Sequence, residues 1–308
     1  MRETADGQQN RRPHMKIALL PDRGVLRVSG ADAAKLLSGV ITNDMAHLDG
    51  SQALHTGLLS PQGKILFDFF VVKNADCFLI EMARAAVGGL KQRLEMYRLR
   101  AAAEIADVSA DYSVAAAWDI GADEAPHSRY TIVFADPRHA ALGMRYLASL
   151  ASNWRRDLEG AEVATREDYD AHRIALGVPE AGRDFAIGDT FPHEANYDQT
   201  HSVSFKKGCY VGQEVVSRMQ HKSVVRKRVT RVSGGTLTSG GEIKLGEVAI
   251  GTVGSVANGQ GLALLRLDRV VEALDKGLPL TAGGGPVEID PEAIARFRSS
   301  LADRPQSL

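Results

Sequence analysis

Cysteine is scarce in this chain of 308 residues: there are two, Cys77 and Cys209, and no Cys-x-x-Cys pair. Two cysteines so far apart do not make a disulfide framework, so a reducing compartment is the simpler expectation. The chain also cannot supply the four thiolates that hold an iron–sulfur cluster. We therefore expect no metal centre held by this chain alone. We expect a cytoplasmic protein, or one of the mitochondrial matrix if the source is eukaryotic.

Long apolar runs and a strong net charge are also missing. No stretch approaches the ~20 apolar residues that span a bilayer, so no membrane partner is expected. The formal net charge is −1, which gives no general attraction to nucleic acid. The polar start, residues 1–14, has no apolar segment of the kind found in secretory signals, and we interpret it as a disordered extension.

What remains is the composition of a globular protein, with 44% hydrophobic and 24% charged residues, and a length that predicts two or more domains. In residues 15–223, strands and helices alternate with hairpins rather than regular crossovers, which predicts an α+β region. The pattern includes an antiparallel meander over 52–82 and a helical pattern over 140–150. Residues 224–308 contain short strands punctuated by glycine, including one over 242–250, and predict a β-barrel with a terminal helix.

One stretch combines residue types that a protein core would not choose: SFKKGCYVGQE, residues 204–214. Its glycines allow a ligand to approach the main chain closely. Nearby positive charge favours the thiolate of Cys209, the form that attacks electrophiles and binds metals. The basic residues are Lys206, Lys207 and Arg218. The stretch therefore indicates a reactive thiol, whereas the alternative is that Cys209 is a small apolar filler of the core.

Polar side chains elsewhere leave two interpretations open. Asn43 and Asp44 follow a predicted helix and either form a turn or contact a ligand. Asp68 interrupts an apolar strand, so it is either a paired structural group or a ligand contact. Glu194 and Asn196 lie in a polar loop shortly before the cysteine and are expected to share its site.

Positive charge is concentrated in residues 206–231, where eight basic residues face one acid, Glu214. The basic residues are Lys206, Lys207, Arg218, Lys222, Arg226, Lys227, Arg228 and Arg231. This segment favours an anionic partner, although the solvated edge of a barrel would also carry such charges. Tyr210 is the one aromatic residue within it, so nucleic acid is not the expected partner.

Two motifs, FPHEANYD at 191–198 and KGCYVGQE at 207–214, resemble those of the YgfZ family of folate-binding proteins. That family is related to the T-protein (aminomethyltransferase) of the glycine cleavage system, and its mitochondrial branch acts in iron–sulfur protein maturation. Shorter matches lie at 39–44, 60–64, 173–179 and 250–255, so the resemblance runs from about residue 17 to 270.

The resemblance implies an α+β fold of three lobes in a ring, with two intertwined α/β lobes in 15–223 and a C-terminal antiparallel β-barrel. It implies that tetrahydrofolate or a one-carbon derivative binds between the first two lobes. Carried over by position, the folate-lining candidates are Asn43, Asp44, Lys64, Asp68, Arg173, Glu194 and Asn196. Glu194 leads them, because a carboxylate can accept paired hydrogen bonds from a pterin.

In the same way Cys209 becomes the reactive thiol at the mouth of the site, with Lys207 beside it. The residues expected to shape the loop are Gly208, Tyr210, Gly212, Gln213, Glu214 and Arg218. The implied function is a folate-binding accessory protein that supports assembly or repair of iron–sulfur clusters, with iron–sulfur client or assembly proteins as partners. The alternative is a folate-dependent one-carbon transferase. The T-protein typically has two adjacent aspartates where this chain has Phe67-Asp68, which weakens that alternative.

Overall fold

The computed structural model describes residues 15–48, 52–120, 131–151, 161–222 and 224–302. The extension expected at residues 1–14 lies outside the described residues. Within them the strands form three sheets of five, five and seven strands.

The strands are β1 (Lys16–Leu19), β2 (Arg23–Ser29), β3 (Ala53–Leu59), β4 (Ile65–Asn74), β5 (Cys77–Ala83), β6 (Glu104–Asp107), β7 (Tyr112–Trp118), β8 (Thr131–Ala135), β9 (Met144–Ser149), β10 (Glu162–Ala164), β11 (Lys227–Ser233), β12 (Glu242–Leu245), β13 (Val248–Ala257), β14 (Gln260–Arg266), β15 (Leu280–Ala282), β16 (Gly285–Pro286) and β17 (Glu288–Ile289). The helices are α1 (Ala33–Ser38), α2 (Val87–Arg98), α3 (Arg166–Ala175), α4 (Gln213–Lys222), α5 (Leu267–Asp275) and α6 (Pro291–Ala302).

The first lobe is an antiparallel sheet in the order β3-β4-β5-β2-β6, covered by α1 and α2. Its helices bury leucines such as Leu37 and Leu90 against Phe69 and Ile80 of the sheet. The predicted meander over 52–82 is confirmed by β3, β4 and β5, which pair in sequence. All seven residues of β3 are buried, so its polar side chains must find partners inside the protein.

The second lobe is the sheet β10-β1-β7-β9-β8 with α3. Because β1 precedes the whole first lobe in the chain but pairs with β7, the two lobes are interleaved. One apolar cluster joins the two sheets, since Phe70 and Leu79 pack with Trp118 and Phe134. Helix α3 begins with the capping box of Thr165 and Asp168.

The helical pattern predicted over 140–150 is wrong. A short 3₁₀ turn, Ala140–Leu142, is followed by strand β9, which pairs with both β7 and β8. Local spacing suited a helix, but the ladder hydrogen bonds to two neighbouring strands decide the conformation.

The third lobe is the antiparallel sheet β16-β15-β12-β13-β14-β11-β17. Its two edges, β16 and β17, are adjacent in the chain, so the sheet curls into a nearly closed barrel. Helices α5 and α6 contribute Val270 and Phe297 to the barrel's apolar cluster. The single strand predicted over 242–250 is instead the hairpin of β12 and β13, which turns at Gly246 with a φ of 59°.

Candidate functional site

The segment that carries the cysteine, residues 201–212, lies against the first lobe; we call it the cysteine arm. Side chains that follow α1 bind its backbone. The hydroxyl of Thr42 donates a hydrogen bond to the carbonyl of Ser202 at 2.7 Å, and the amide of Asn43 donates to the carbonyl of His201 at 2.7 Å. The backbone N–H of Ser204 donates to the carbonyl of Thr42 at 3.0 Å. Asn43 therefore holds the arm rather than facing solvent.

Lys207 makes the strongest connection between the arm and the first lobe. Its Nζ donates to the carbonyl oxygens of Ser38, Ile41 and Asn43 at 2.8, 2.7 and 2.9 Å. The residue is 8% exposed. Burial lowers the pKa of Lys207 to about 8, against the opposing pull of the Asp44 carboxylate. At neutral pH it is therefore mostly an ammonium, and its three donors all face carbonyl oxygens.

At its other end the arm is fixed by contact between two glycines. Gly212 has a φ of +83°, and a Cβ there would lie 2.6 Å from the carbonyl oxygen of Ser60. Gly63 has a φ of +79°, and a Cβ there would lie 2.8 Å from Val215. The turn between β3 and β4 therefore packs directly on the end of the arm. Both positions require glycine.

Helix α4 begins where the arm ends and was not predicted from the sequence. Two of the expected loop-shaping residues, Gln213 and Glu214, form its first turn, and Arg218 is exposed further along. The glycine at 212 and the acid in the first turn were the available signals for a helix start.

Between the two fixed ends, Cys209 is an exposed free thiol, so it is not a core filler. Its neighbour Tyr210 is buried, which raises the pKa of that phenol to about 12, and Lys207 Nζ lies 4.9 Å from its ring centroid. Gly208 is exposed, and a Cβ there would meet no atom within 4 Å. By contrast, Cys77 is half-buried, with its Sγ 3.2 Å from the carbonyl oxygen of Asn74.

Asp68 lies on β4 in a buried polar cluster behind the arm. The hydroxyl of Tyr197 donates to its Oδ2 at 2.6 Å, and His55 Nε2 lies 3.2 Å from the same oxygen. Gly57 lies opposite Asp68, and a Cβ there would come within 2.9 Å of the Tyr197 ring. Burial alone would raise the pKa of Asp68, but the contacts with His55 and Tyr197 bring it down to about 2. Asp68 is thus an ionised and paired group.

The cluster reaches the arm through His55, whose Nδ1 lies 2.6 Å from Ser202 Oγ. Neither His55 nor Tyr197 was among the residues expected from the sequence. The strand Ala53–Leu59, in which His55 precedes Thr56, gave no local sign of the partner of His55, because Ser202 is 147 positions away.

Lys64 and Glu194 form a separate pair of candidates at the start of β4. Lys64 Nζ lies 3.4 Å from the ring centroid of Phe191 and donates to the carbonyl of Asp189. Glu194 accepts the backbone N–H of Phe191 on its Oε2 at 2.9 Å. Among the described residues, its Oε1 accepts no hydrogen bond, so one carboxylate oxygen is free to bind a donor.

Asn196 fastens this polar loop to the barrel. Its amide donates to the carbonyl of Val229 on β11 at 2.8 Å, and its own φ is +62°. Nearby, the Arg228 guanidinium binds both carboxylate oxygens of Asp198 at 2.7 and 2.8 Å. The side chain of Asn196 is therefore engaged in joining two lobes.

Arg173 lies in another place, where α3 meets the barrel. It is 1% exposed and donates to Asp170 at 2.7 Å, to Asp184 at 2.6 Å and to Ser255 Oγ at 2.6 Å. These carboxylates raise its pKa, although burial opposes them. We call Asp170, Arg173, Glu180, Asp184 and Ser255 the junction cluster. A cavity of about 460 Å³ borders it, lined by the β1–β2 turn, the start of α3 and β13.

The sequence-predicted residues thus fall into four places. Asn43, Asp44, Lys207, Cys209 and Tyr210 meet at the cysteine arm, and Asp68 is joined to it through His55. Lys64 and Glu194 each contact Phe191, Asn196 binds β11 of the barrel, and Arg173 lies in the junction cluster. In the described ranges, no group of three or more His, Cys, Asp or Glu residues is placed to hold a metal ion. No helix in those ranges is long and apolar enough to cross a membrane.

Comparison with known proteins places the chain in a family. Residues 226–297 match the domain described as CAF17, C-terminal beta-barrel domain. A protein of Mycosarcoma maydis named iron-sulfur cluster assembly factor IBA57 homolog, mitochondrial, is 36% identical over 234 residues, covering 71% of this chain and 57% of its own length. The Mus musculus protein named iron-sulfur cluster assembly factor IBA57, mitochondrial, is 30% identical over 283 residues, covering 82% of this chain and 77% of its own.

The chain belongs to the IBA57 family. Its relatives carry that name rather than YgfZ, the family name to which the cysteine motif pointed. The chain spans 57%, 52% and 55% of three fungal IBA57 homologues, between about half and three fifths of their length. These IBA57 relatives are designated mitochondrial, in agreement with the compartment expected for a eukaryotic chain.

The fold of this IBA57 family member also has a solved counterpart. The crystal structure of glycine cleavage system aminomethyltransferase T from Bartonella henselae matches with a TM-score of 0.72, over 90% of this chain and 85% of that one. At 15% identity the likeness shows the fold alone. It confirms the expected T-protein architecture, with two α/β lobes and a C-terminal antiparallel barrel.

Proposed function

We propose that this chain supports the assembly or repair of iron–sulfur clusters in client enzymes, in the mitochondrial matrix, and that Cys209 is its working group. The observation that carries the proposal is an exposed free thiol on an arm fixed at both ends. A thiolate is both a nucleophile and a ligand for iron. Because Cys209 is a single thiol, it acts once, as a nucleophile or as one cluster ligand, and the other ligands come from a partner.

Exposed side chains in the sequence segment that carries the thiol indicate the chemistry of that partner. Lys206, Arg218 and Arg226 are exposed, and none has a carboxylate within 4.0 Å among the described residues. Phe205 is also 40% exposed. Exposed positive charges in the same segment as an exposed apolar side chain favour a protein surface that is acidic at its rim. The proposed partners are therefore iron–sulfur client or assembly proteins with such a surface.

The test uses cells that lack the native protein and have lost iron–sulfur enzyme activity. Wild-type chain and Cys77→Ala should restore that activity, and Cys209→Ala should not. Cys77→Ala is the matched control because it removes the other thiol of the chain, 132 positions away and half-buried. Full restoration by Cys209→Ala, at equal protein level, would remove the thiol from the function.

The proposal includes tetrahydrofolate, or a one-carbon derivative, as the bound cofactor. It is supported by the T-protein fold and by the free Oε1 of Glu194, which can accept an N–H of a pterin ring. Bound folate would supply one-carbon chemistry; the chain's own contribution is to hold and orient the ring. Titration of the purified chain with tetrahydrofolate should give saturable binding that Glu194→Gln weakens and Glu247→Gln, on an exposed barrel turn, does not. Equal binding by both variants would contradict this role of Glu194.

A one-carbon transferase is the second candidate, and Asp68 is the observation in its favour. Its carboxylate is ionised and buried on the first-lobe strand, where it can stabilise positive charge on a folate nitrogen. However, its Oδ2 already accepts the Tyr197 hydroxyl. An assay with an aminomethyl or N-methylated glycine donor separates the candidates. Turnover that Asp68→Asn abolishes would favour the transferase, and folate binding without turnover would favour the accessory role.

A further inference from the structure

The polar contacts between the arm and the first lobe are concentrated in two short segments. Residues 38–43, which run from the end of α1, share six hydrogen bonds with residues 201–207. Three of the six are made by one ammonium group, that of Lys207. The arm beyond Lys207 has only four residues before Gly212, the second fixed point. The thiol therefore lies on a short span between two anchors.

The three acceptors of Lys207 are backbone carbonyls at the end of α1 and just after it. Ser38 ends α1, so its carbonyl is one of the last of that helix and carries the negative end of the helix dipole. An ammonium has three donors and no acceptor, which matches three converging carbonyl oxygens. The side chain is buried, so these contacts are shielded from water and salt.

We propose that Lys207 is a positioning residue: its ammonium, bound to the carbonyls of Ser38, Ile41 and Asn43, fixes the cysteine arm on the first lobe and so sets the place at which Cys209 meets its partner. This rests on the function proposed for Cys209. It differs from the sequence-based expectation, in which Lys207 acted on the thiol through its charge. Its neighbour Lys206 is exposed and has no carboxylate within 4.0 Å among the described residues.

The position of the arm depends on the conformation of the first lobe, because Lys207 binds carbonyls of the segment after α1. Asn43 supplies one of them and its side chain binds the carbonyls of His55 and His201. A shift of the segment after α1 therefore moves the anchor of the thiol. Among the described residues, Asp44 is the one carboxylate that acts on Lys207, and the ring of Tyr210 is neutral at physiological pH.

The anchor can first be tested in the wild-type protein without any substitution. Brief competitive labelling of amines with an acylating reagent should modify Lys206 at least about tenfold faster than Lys207, because a buried ammonium bound by three acceptors reacts only when the arm opens. Equal labelling of the two lysines would overturn the proposal.

A matched pair of variants then distinguishes a lysine that positions the arm from one that acts only through its positive charge. Lys207→Met keeps the length of the stem but removes the ammonium, and Lys206→Met removes a neighbouring charge without touching the carbonyls. Hydrogen exchange at the Ser204 amide, which donates to Thr42, reports whether the arm is closed. Lys207→Met should lower its protection about tenfold or more, and Lys206→Met should leave it unchanged.

The pH–rate profile for alkylation of Cys209 completes the test. If Lys207 positions the arm, the midpoint of the profile should be the same in Lys207→Met and in wild type. An unchanged Ser204 amide in Lys207→Met, or a shifted midpoint in that variant, would show that the lysine acts through charge. The labelling and hydrogen-exchange readouts measure the order of the arm, so they stand whether or not iron–sulfur activity depends on Cys209.

Discussion

The junction cluster and the cysteine arm both contain charged residues, but the cluster buries most of them whereas the arm leaves one of its two lysines exposed. The guanidinium of Arg173 donates hydrogen bonds to Asp170, Asp184, Ser255 and a backbone carbonyl, all inside the protein. On the arm, Lys206 and the Cys209 thiol face solvent, while only Lys207 is enclosed. Charges that the fold satisfies hold lobes together, and those that it leaves free are available to a partner.

The largest effect expected is on the stability of the junction cluster. Arg173→Met leaves Asp184, which is 4% exposed, without its guanidinium partner, so the free energy of unfolding should fall by about 3–5 kcal/mol. Arg183→Met is the matched control, because its side chain is 43% exposed and should cost less than about 1 kcal/mol. Denaturant unfolding measures both. Equal losses of unfolding free energy in the two variants would mean that the buried contacts of Arg173 do not stabilise the fold more than an exposed arginine does.

A smaller effect should follow the titration of Asp68, which belongs to the polar cluster behind the arm. Its pKa is about 2 in the folded protein against 3.8 for an ordinary aspartate, so the unfolded chain binds the proton first as pH falls. Its contribution, about 2 kcal/mol, is therefore present above pH 3.8 and lost as pH falls through about 2.

Asp68→Asn removes this contribution. Unfolding measured along a pH series should show wild type more stable than Asp68→Asn at neutral pH, with the difference shrinking toward pH 2. The free energy of unfolding of Asp76→Asn, a variant at an exposed turn, should follow that of wild type across the pH series. A constant difference between Asp68→Asn and wild type across the series would contradict the assigned ionisation.

The two glycines of the arm, Gly208 and Gly212, should differ in their effect on stability. Gly212→Ala should lower the free energy of unfolding by about 1–3 kcal/mol. Gly212→Ala places a methyl group 2.6 Å from the Ser60 carbonyl in a backbone conformation with positive φ, so the unfolding free energy should fall. Gly208→Ala meets no atom within 4 Å and should leave stability nearly unchanged. Thermal unfolding of the pair decides whether the arm is fixed at Gly212, since equal midpoints would argue against that anchor.

Much of the fold was accessible from the sequence because it is encoded locally. The meander over 52–82 follows from the alternation of its strands, and the barrel follows from short strands separated by glycine. Strand β9 was missed because its helix-like spacing yields to pairing with β7 and β8.

The site was accessible only in part, for a related reason. The exposed thiol could be inferred from its glycines and lysines. The role of a charged residue could not, because it depends on partners far along the chain: Lys207 binds carbonyls more than 160 positions away, and Arg173 binds Ser255. The sequence shows that a charged residue is present, but it does not show whether the folded protein pairs that charge with internal groups or leaves it exposed.

The most direct test of the central claim measures stability and function together for Cys209→Ala. The thiol is exposed and makes no hydrogen bond with the described residues, so the purified variant should match the unfolding free energy of wild type within about 0.5 kcal/mol. In cells lacking the native protein, the same variant should fail to restore iron–sulfur enzyme activity. Full restoration by a variant of unchanged stability would contradict the claim that the free thiol of the arm carries the function.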